Sequence, residues 1–157
     1  MASKTSFLRW VSPGLFGCIV ICFFLPFMNI SCSGKTFIQL TGIELITGKD
    51  TEEQHYTGSF PIAVAFGAAA AGIAVGFLKG RAGAAASGVL ALVGIGALAW
   101  FRYLVDKSLT AKGGSAFGIE YLFGYWASFL LFIAAAAFNV GRFVAGRKAA
   151  PPTSTTE

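Results

Sequence analysis

Four long apolar runs constrain what this chain of 157 residues can fold into. A helix needs about 20 apolar residues to cross the roughly 30 Å hydrocarbon core of a bilayer, and each run approaches or exceeds that length. Charged residues make up only 12% of the chain, against about 25% in an ordinary soluble domain. The pattern predicts an all-α integral membrane protein, a four-transmembrane-helix bundle. The predicted spans are residues 10–30, 60–78, 82–105 and 117–144.

The remaining segments complete the predicted organisation. The spans form one membrane domain over residues 1–145, and residues 146–157 form a flexible cytoplasmic tail. Residues 31–59 form the largest connection and are predicted to lie outside the membrane. Two β-prone runs in it, 36–40 and 43–47, are separated by Thr41-Gly42, which predicts a short β-hairpin-like outer loop.

The distribution of charge predicts the orientation, because cytoplasmic loops carry an excess of Lys and Arg. With the N-terminus inside, seven basic residues and only Glu157 as an acid lie on the cytoplasmic side, whereas five basic and six acidic residues lie outside. We therefore expect both termini in the cytoplasm, and the bacterial inner membrane as the location. The inner basic residues are Lys4, Arg9, Lys79, Arg81, Arg142, Arg147 and Lys148.

The N-terminal region has a second interpretation. Lys4 and Arg9 precede an apolar stretch that leads to Ser31-Cys32, an arrangement also found in a signal segment that ends at a lipidated cysteine. Asn29, three residues before Cys32, fits such a site poorly. Whether Cys32 is processed stays open at the level of sequence.

Small residues predict how the helices pack, since helices in lipid associate where their backbones can approach closely. The second run carries Gly72 and Gly76 four residues apart, and the fourth ends with Ala137, Gly141 and Ala145 at the same spacing. The predicted packing residues are Gly72, Gly76, Gly83, Ser87, Ala91 and Gly141.

Large apolar residues outside these small faces predict contacts with other proteins. The first run is bulky, with Phe16, Phe23 and Phe27, and the outer loop carries Phe37 and Ile43. Such residues are too apolar for a free loop in water or for close helix packing. We expect the three phenylalanines to face lipid or a partner protein, and the two loop residues to pack onto the outer ends of the helices or against a partner, so all five are candidate partner contacts.

Two charged residues lie at matching depths near the outer ends of the third and fourth runs. They are Arg102 and Glu120. Their opposite charges predict an interfacial ion pair between neighbouring helices.

The sequence offers little chemistry for catalysis. It has one histidine and no Cys-x-x-Cys pair, phosphate-binding glycine loop or nucleophile elbow. Cys18, Cys22 and Cys32 fall on one side of a helix and suggest either a path for a soft metal or, more simply, small buried hydrophobic residues. We expect no catalytic, cofactor-binding or metal site, and no binding of nucleic acid.

One segment resembles known sequences. The string Leu25-Pro26-Phe27, Ser31-Cys32, Thr41-Gly42 and Thr47-Gly48 is similar to the segment after the first helix in small uncharacterised four-span bacterial membrane proteins. The resemblance covers about 25 residues and implies a membrane protein without indicating a function.

These observations favour a function based on contact. We expect a non-enzymatic accessory, scaffold or assembly subunit of a larger membrane complex, whose partners are the lipid bilayer and other membrane subunits or further copies of itself. A small self-associating channel or transporter for an apolar or weakly polar solute is the alternative, and lipid binding is a third possibility.

Overall fold

The fold combines long helices with a small sheet at one end. The computed structural model describes residues 3–32, 35–51, 54–56, 58–78, 81–111 and 117–148. Its helices are α1 (Ser3–Cys22), α2 (Gly42–Thr47), α3 (Phe60–Gly76), α4 (Arg81–Ala111) and α5 (Phe123–Lys148). Its strands are β1 (Pro26–Cys32), β2 (Lys35–Thr41), β3 (Lys49–Thr51), β4 (Gln54–Tyr56) and β5 (Phe117–Tyr121).

The prediction of a four-transmembrane-helix bundle is wrong. Within the described residues, two helical stretches are long and apolar enough to cross a membrane, Ala82–Ser108 and Phe123–Ala145. The apolar parts of the other two helices, Trp10–Cys22 and Phe60–Gly76, are shorter. The first predicted span, 10–30, fails because α1 ends at Cys22 and residues 26–30 belong to a strand, and the second, 60–78, fails because α3 ends at Gly76. The third and fourth correspond to the two candidate stretches, although residues 117–121 of the fourth form a strand.

A proline explains why the first apolar run divides into a helix and a strand. Helix α1 ends at Cys22, and the chain turns through hydrogen bonds from the N–H of Phe24 to the carbonyl of Ile21 and from Leu25 to Cys22. Pro26 has no N–H to continue a helix and disfavours helical geometry at the residue before it. The chain therefore leaves the turn in an extended conformation as β1.

Strand β1 is the centre of a three-stranded antiparallel sheet with the order β2-β1-β5. It pairs with β2 from Pro26–Thr41 to Cys32–Lys35 and with β5 from Met28–Tyr121 to Cys32–Phe117. One face of the sheet is apolar and packs on the ends of the helices. Its residues are Met28, Ile30, Ile38, Leu40, Ile119 and Tyr121.

The predicted hairpin has a different position from the one in the structure. The hairpin joins β1 to β2, whereas the second predicted strand, 43–47, lies in helix α2. A capping box explains the helix: the N–H of Glu44 donates to the Thr41 hydroxyl, and the N–H of Thr41 donates to the Glu44 carboxylate at 2.9 Å. Gly48, with φ of 82°, ends α2 in a conformation that favours glycine.

The helices α1, α3, α4 and α5 lie side by side, and each packs against two of the others. Helix α1 contacts α3 and α5, and α4 contacts the same two helices. The predicted tail begins inside α5, which ends at Lys148, and residues 149–157 lie outside the described residues. The predicted turn at Lys79-Gly80 also lies outside them.

Glycine allows the closest approach between α1 and α3. An ideal Cβ on Gly72 would lie 2.5 Å from the fully buried ring of Phe16, and one on Gly76 would lie 3.2 Å from the backbone of Pro13. The pair Gly72 and Gly76 therefore packs on α1, which accounts for the complete burial of a large ring inside the chain.

The substitution Gly72→Ala tests this contact against a control in the same helix. The added methyl group collides with the Phe16 ring, so we expect a loss of about 1–3 kcal/mol in stability, typical of overpacking. Gly67→Ala adds the same methyl group where nothing lies within 4 Å and is expected to leave stability unchanged or slightly raised. Thermal unfolding in mild detergent measures both, and equal midpoints would contradict the packing.

Candidate functional site

The two ends of the molecule differ in the residues that they present. The rings of Trp10 and Phe77 meet at 5.9 Å, and Ser12 hydrogen-bonds to Asn139, so the start of α1, the end of α3 and the end of α5 lie together. We call this the basic end, because the sequence places most of its Lys and Arg there. The opposite end, with the three-stranded sheet and α2, is the sheet end.

Arg102 is the centre of a cluster at the sheet end. Its guanidinium carbon lies 5.4 Å from the ring centroid of Tyr121 and 5.7 Å from that of Trp126, which are cation–π distances. Its Nε atom lies 3.8 Å from a carboxylate oxygen of Asp106. Helix α4, strand β5 and helix α5 thus each contribute to what we call the Arg102 cluster: Arg102, Asp106, Tyr121 and Trp126.

The structure gives Arg102 a different carboxylate partner from the predicted Glu120. Arg102 and Asp106 are four residues apart on α4 and share one face of the helix. Glu120 and Tyr121 are neighbours on β5, and neighbouring side chains of a strand point to opposite faces. Since Tyr121 lies under Arg102, Glu120 faces away from it and is exposed.

The contact between Arg102 and Asp106 is weak. The side chains are 48% and 59% exposed, and exposed pairs four residues apart on a helix contribute about 0.3–0.5 kcal/mol. The aromatic rings therefore do more than the carboxylate to hold the guanidinium in place. The Arg102 side chain nevertheless remains about half exposed.

Tyr121 has an unusual environment for a phenol. Burial, and then the negative charge of Asp106, raise the pKa of Tyr121 from 10.0 to about 12, while Arg102 acts in the opposite direction. The hydroxyl of Tyr121 is consequently neutral under physiological conditions. The contact between Tyr121 and Arg102 is therefore a cation–π contact and not an ion pair.

Buried polar groups link the helices nearer the basic end. The Ser12 hydroxyl donates to the Asn139 side-chain carbonyl at 3.2 Å, and the Asn139 amide donates to the carbonyl of Ala135 at 2.8 Å. Both side chains are completely buried. These bonds connect α1 to α5 across a face that is otherwise apolar. The Ser128 hydroxyl, also buried, returns to the carbonyl of Gly124 on its own helix.

The predicted packing residues divide between inner and outer faces. Ala91 is fully buried, and Ser87 is 1% exposed with no hydrogen-bond partner among the described residues. A Cβ on Gly83 would meet the carbonyl of Leu78 at 2.6 Å, so Gly83 serves the turn into α4. Gly141 is exposed, with nothing within 4 Å of its Cβ position.

Two close contacts were missed at the level of sequence. A Cβ on Gly94 would collide with the ring of Phe132, and one on Gly124 would lie 2.6 Å from the carbonyl of Pro26. Gly94 lies three residues after Ala91, so extending the small face of α4 by one turn identifies it. The close contact at Gly124 depends on where β1 lies, and no spacing of residues in the sequence predicts that position.

Most residues predicted to contact a partner are inside the chain. Phe16 and Phe23 are fully buried and Phe27 is 1% exposed, because the large rings of α1 and β1 fill the space left by the small faces of α3, α4 and α5. Ile43 is half-buried, and its N–H donates to the carbonyl of Phe23. Phe37 lies on β2, and its side chain is outside the described residues.

Large apolar side chains cover the outer faces of α4 and α5 instead. Ile133 is 43% exposed and Leu130 62% exposed, although both lie well inside the apolar stretch of α5. The other exposed apolar residues of these helices are Val89, Leu92, Val93, Trp100, Tyr103, Leu104, Phe123, Trp126, Val140 and Val144.

Metal-binding residues are not grouped in the part of the chain that the structure describes. It contains no cluster of three or more His, Cys, Asp or Glu side chains. Cys18 is exposed and Cys22 is buried, one turn apart on α1. The side chains of Cys32 and His55 lie outside the described residues.

The chain matches no protein-family model, and no curated protein or solved structure is significantly similar to it.

The ionisation of Tyr121 gives a measurable test of the Arg102 cluster. We expect one tyrosine to ionise near pH 12 in an ultraviolet titration, and Tyr121→Phe to remove that component. Because the folded pKa exceeds the unfolded value, the contribution of Tyr121 to stability is constant below pH 10 and is lost as the pH rises from 10 to 12.

Asp106→Asn is expected to lower this pKa towards 10, since it removes the nearby negative charge. Lys107→Gln, a charge change at the adjacent exposed position, is the control and should shift it less. An unchanged pKa in Asp106→Asn would contradict the geometry of the cluster.

Proposed function

We propose that this chain is an integral membrane protein anchored by α4 and α5. Two candidate spans by length and composition allow a membrane association. The low burial of these two helices within the chain adds support: only 44% of the most apolar stretch of α4, and 28% of that of α5, is buried. The core helix of a soluble protein is mostly buried, so these outer faces favour lipid as the surrounding solvent.

The dimensions of α4 also support this proposal. The helix rises about 31 Å between Arg81 and Arg102 at 1.5 Å per residue, close to the roughly 30 Å of a hydrocarbon core. Exposed Trp100, Tyr103 and Trp126 lie at the sheet end, where an aromatic belt would meet the membrane surface. Arg102 would then lie at the boundary between hydrocarbon and headgroups.

We further propose that the basic end faces the cytoplasm of a bacterial cell, with both termini inside. The start of α1, the start of α4 and the end of α5 meet at this end and carry the basic excess of the sequence. By the positive-inside rule, the sheet end would face the outside of the inner membrane.

Arginine substitutions at two depths test the anchoring. An arginine at the centre of a membrane helix costs about 2.5–3.5 kcal/mol, and less near its end. Ile133→Arg should therefore release a large fraction of the protein from alkali-extracted membranes, whereas Phe123→Arg, at the start of α5, should not. Both positions are exposed, so in a soluble protein neither change would harm folding. Equal behaviour, or improved solubility of Ile133→Arg, would refute the proposal.

Within the membrane, we propose a non-catalytic role as an accessory or scaffold subunit that binds a helix of another membrane protein. The observation that supports this role is the outer face of α5. Ala137, Gly141 and Ala145 recur every four residues and are all exposed, and Gly141 has open space at its Cβ position. This spacing of small residues lets a second helix approach closely.

Co-purification in mild detergent tests this role. We expect a defined partner to accompany the wild-type protein and Gly141→Leu to lose it, because the side chain blocks close approach. Gly67→Leu, on the exposed face of α3, is the matched control and should retain the partner. A protein that always runs alone or only as a homo-oligomer, or equal loss in both variants, would contradict the accessory role.

A further inference from the structure

The Arg102 cluster has the geometry of an anion site at the proposed membrane surface. The guanidinium carbon lies 5.4 and 5.7 Å from the centroids of two aromatic rings that belong to different elements, and these contacts restrict its position. The side chain remains 48% exposed, and its contact with Asp106 is through Nε at 3.8 Å. An oriented and accessible guanidinium presents parallel N–H groups that match the oxygens of a phosphate.

The surroundings decide what kind of phosphate can reach this guanidinium. Trp126 is 44% exposed, and exposed Tyr103 and Leu104 follow Arg102 on α4. A phosphate bound here would have large apolar surface on one side and the sheet end on the other. This combination suits an amphipathic ligand with acyl chains along α4 and α5 better than a free inorganic ion.

We propose that Arg102, held by Tyr121 and Trp126, binds the phosphate of a phospholipid headgroup in the leaflet at the sheet end. This inference rests on the proposed membrane location. The weak contact with Asp106 gives way when the phosphate binds, since a bidentate phosphate contact replaces a long and solvent-exposed one. Asp106 therefore competes with the lipid phosphate for Arg102 and lowers the affinity of the site for the lipid.

The experiment measures lipid retention by the full chain in mild detergent, with native mass spectrometry and phosphatidylglycerol as the probe. We expect Arg102→Gln to weaken binding about tenfold, the scale of losing a charge-assisted hydrogen-bonded contact. Arg102→Lys keeps the charge without the planar fork and should recover only part of the binding. Asp106→Asn should strengthen it.

Two matched controls separate a defined site from general attraction of charge. Lys107→Gln removes an equal charge from the same helix, and Arg142→Gln removes one at the basic end. Both should bind nearly as well as the wild type. Trp126→Leu should weaken binding, whereas Trp100→Leu, a similarly exposed tryptophan that is not under Arg102, should not.

The choice of probe identifies the source of the phosphate. Diacylglycerol, which has acyl chains without phosphate, should not be retained, and inorganic phosphate should not displace the phospholipid at equal concentration. Displacement by inorganic phosphate would overturn the lipid assignment, and equal losses in Arg102→Gln and Lys107→Gln would overturn the site.

Failure of this site is distinguishable from failure of the membrane location. Release of Ile133→Arg from membranes reports on anchoring, and its outcome does not depend on Arg102. Helical circular dichroism verifies that each variant is folded. Should Arg102→Gln not fold, the pair Trp126→Leu and Trp100→Leu decides the proposal, and equal retention by these two would refute it.

Discussion

The absence of an N–H group at Pro26 divides the first apolar run, and the arrangement of the sheet end depends on that division. With the helix stopped at Cys22, the chain turns through residues 23–25, and Pro26–Cys32 becomes the central strand β1. An extended central strand exposes hydrogen-bonding groups along both edges, and β2 and β5 pair with them. Strand β5 in turn positions Tyr121 under Arg102. The Arg102 cluster therefore depends on a proline 76 positions earlier in the chain.

Small residues on the inner faces of the helices lie against large buried side chains, and further large apolar residues cover the outer faces. The inner faces carry Ala65, Gly72, Ala91 and Gly94, and the few large rings among them, such as Phe16 and Phe132, fit against glycine. Small residues allow the helix backbones to approach closely, and each glycine gives a large ring the space to pack. The arrangement is typical of helices that associate by close packing in lipid, in agreement with the proposed anchoring.

A buried hydrogen bond also links two of the helices. Between α1 and α5, the Ser12 hydroxyl donates to the side-chain oxygen of Asn139. The amide group of Asn139 donates in turn to a backbone carbonyl of its own helix. In an apolar surrounding, one such bond specifies which faces meet, since sliding or rotating either helix would leave the Ser12 hydroxyl and the Asn139 side-chain oxygen without each other. Charged groups are held nearer the ends, where Arg102 and Arg142 each lie over aromatic rings.

Composition and periodicity by themselves determined the apolar helices, their small faces and the separation of basic from acidic ends. The small face of α3 and the burial of Ala91 follow from spacing alone, because residues three and four apart share one side of a helix. Pro26 marks the division of the first run within the sequence, but local pattern did not determine that the residues after it, or residues 117–121, form strands. That choice at 23–30 and 117–121 rests on pairing between strands almost 90 residues apart, which no local window contains.

The same limit applies to the candidate site. The sequence showed that Arg102 and Glu120 lie at similar depths, but whether they meet depends on which face of residues 117–121 is turned towards α4. Strand geometry turned Tyr121 towards Arg102 and Glu120 away. Likewise, the phenylalanines of the first run were recognisable as bulky, and only the tertiary structure decided that they face inward, because the small residues opposite them leave the space that they fill.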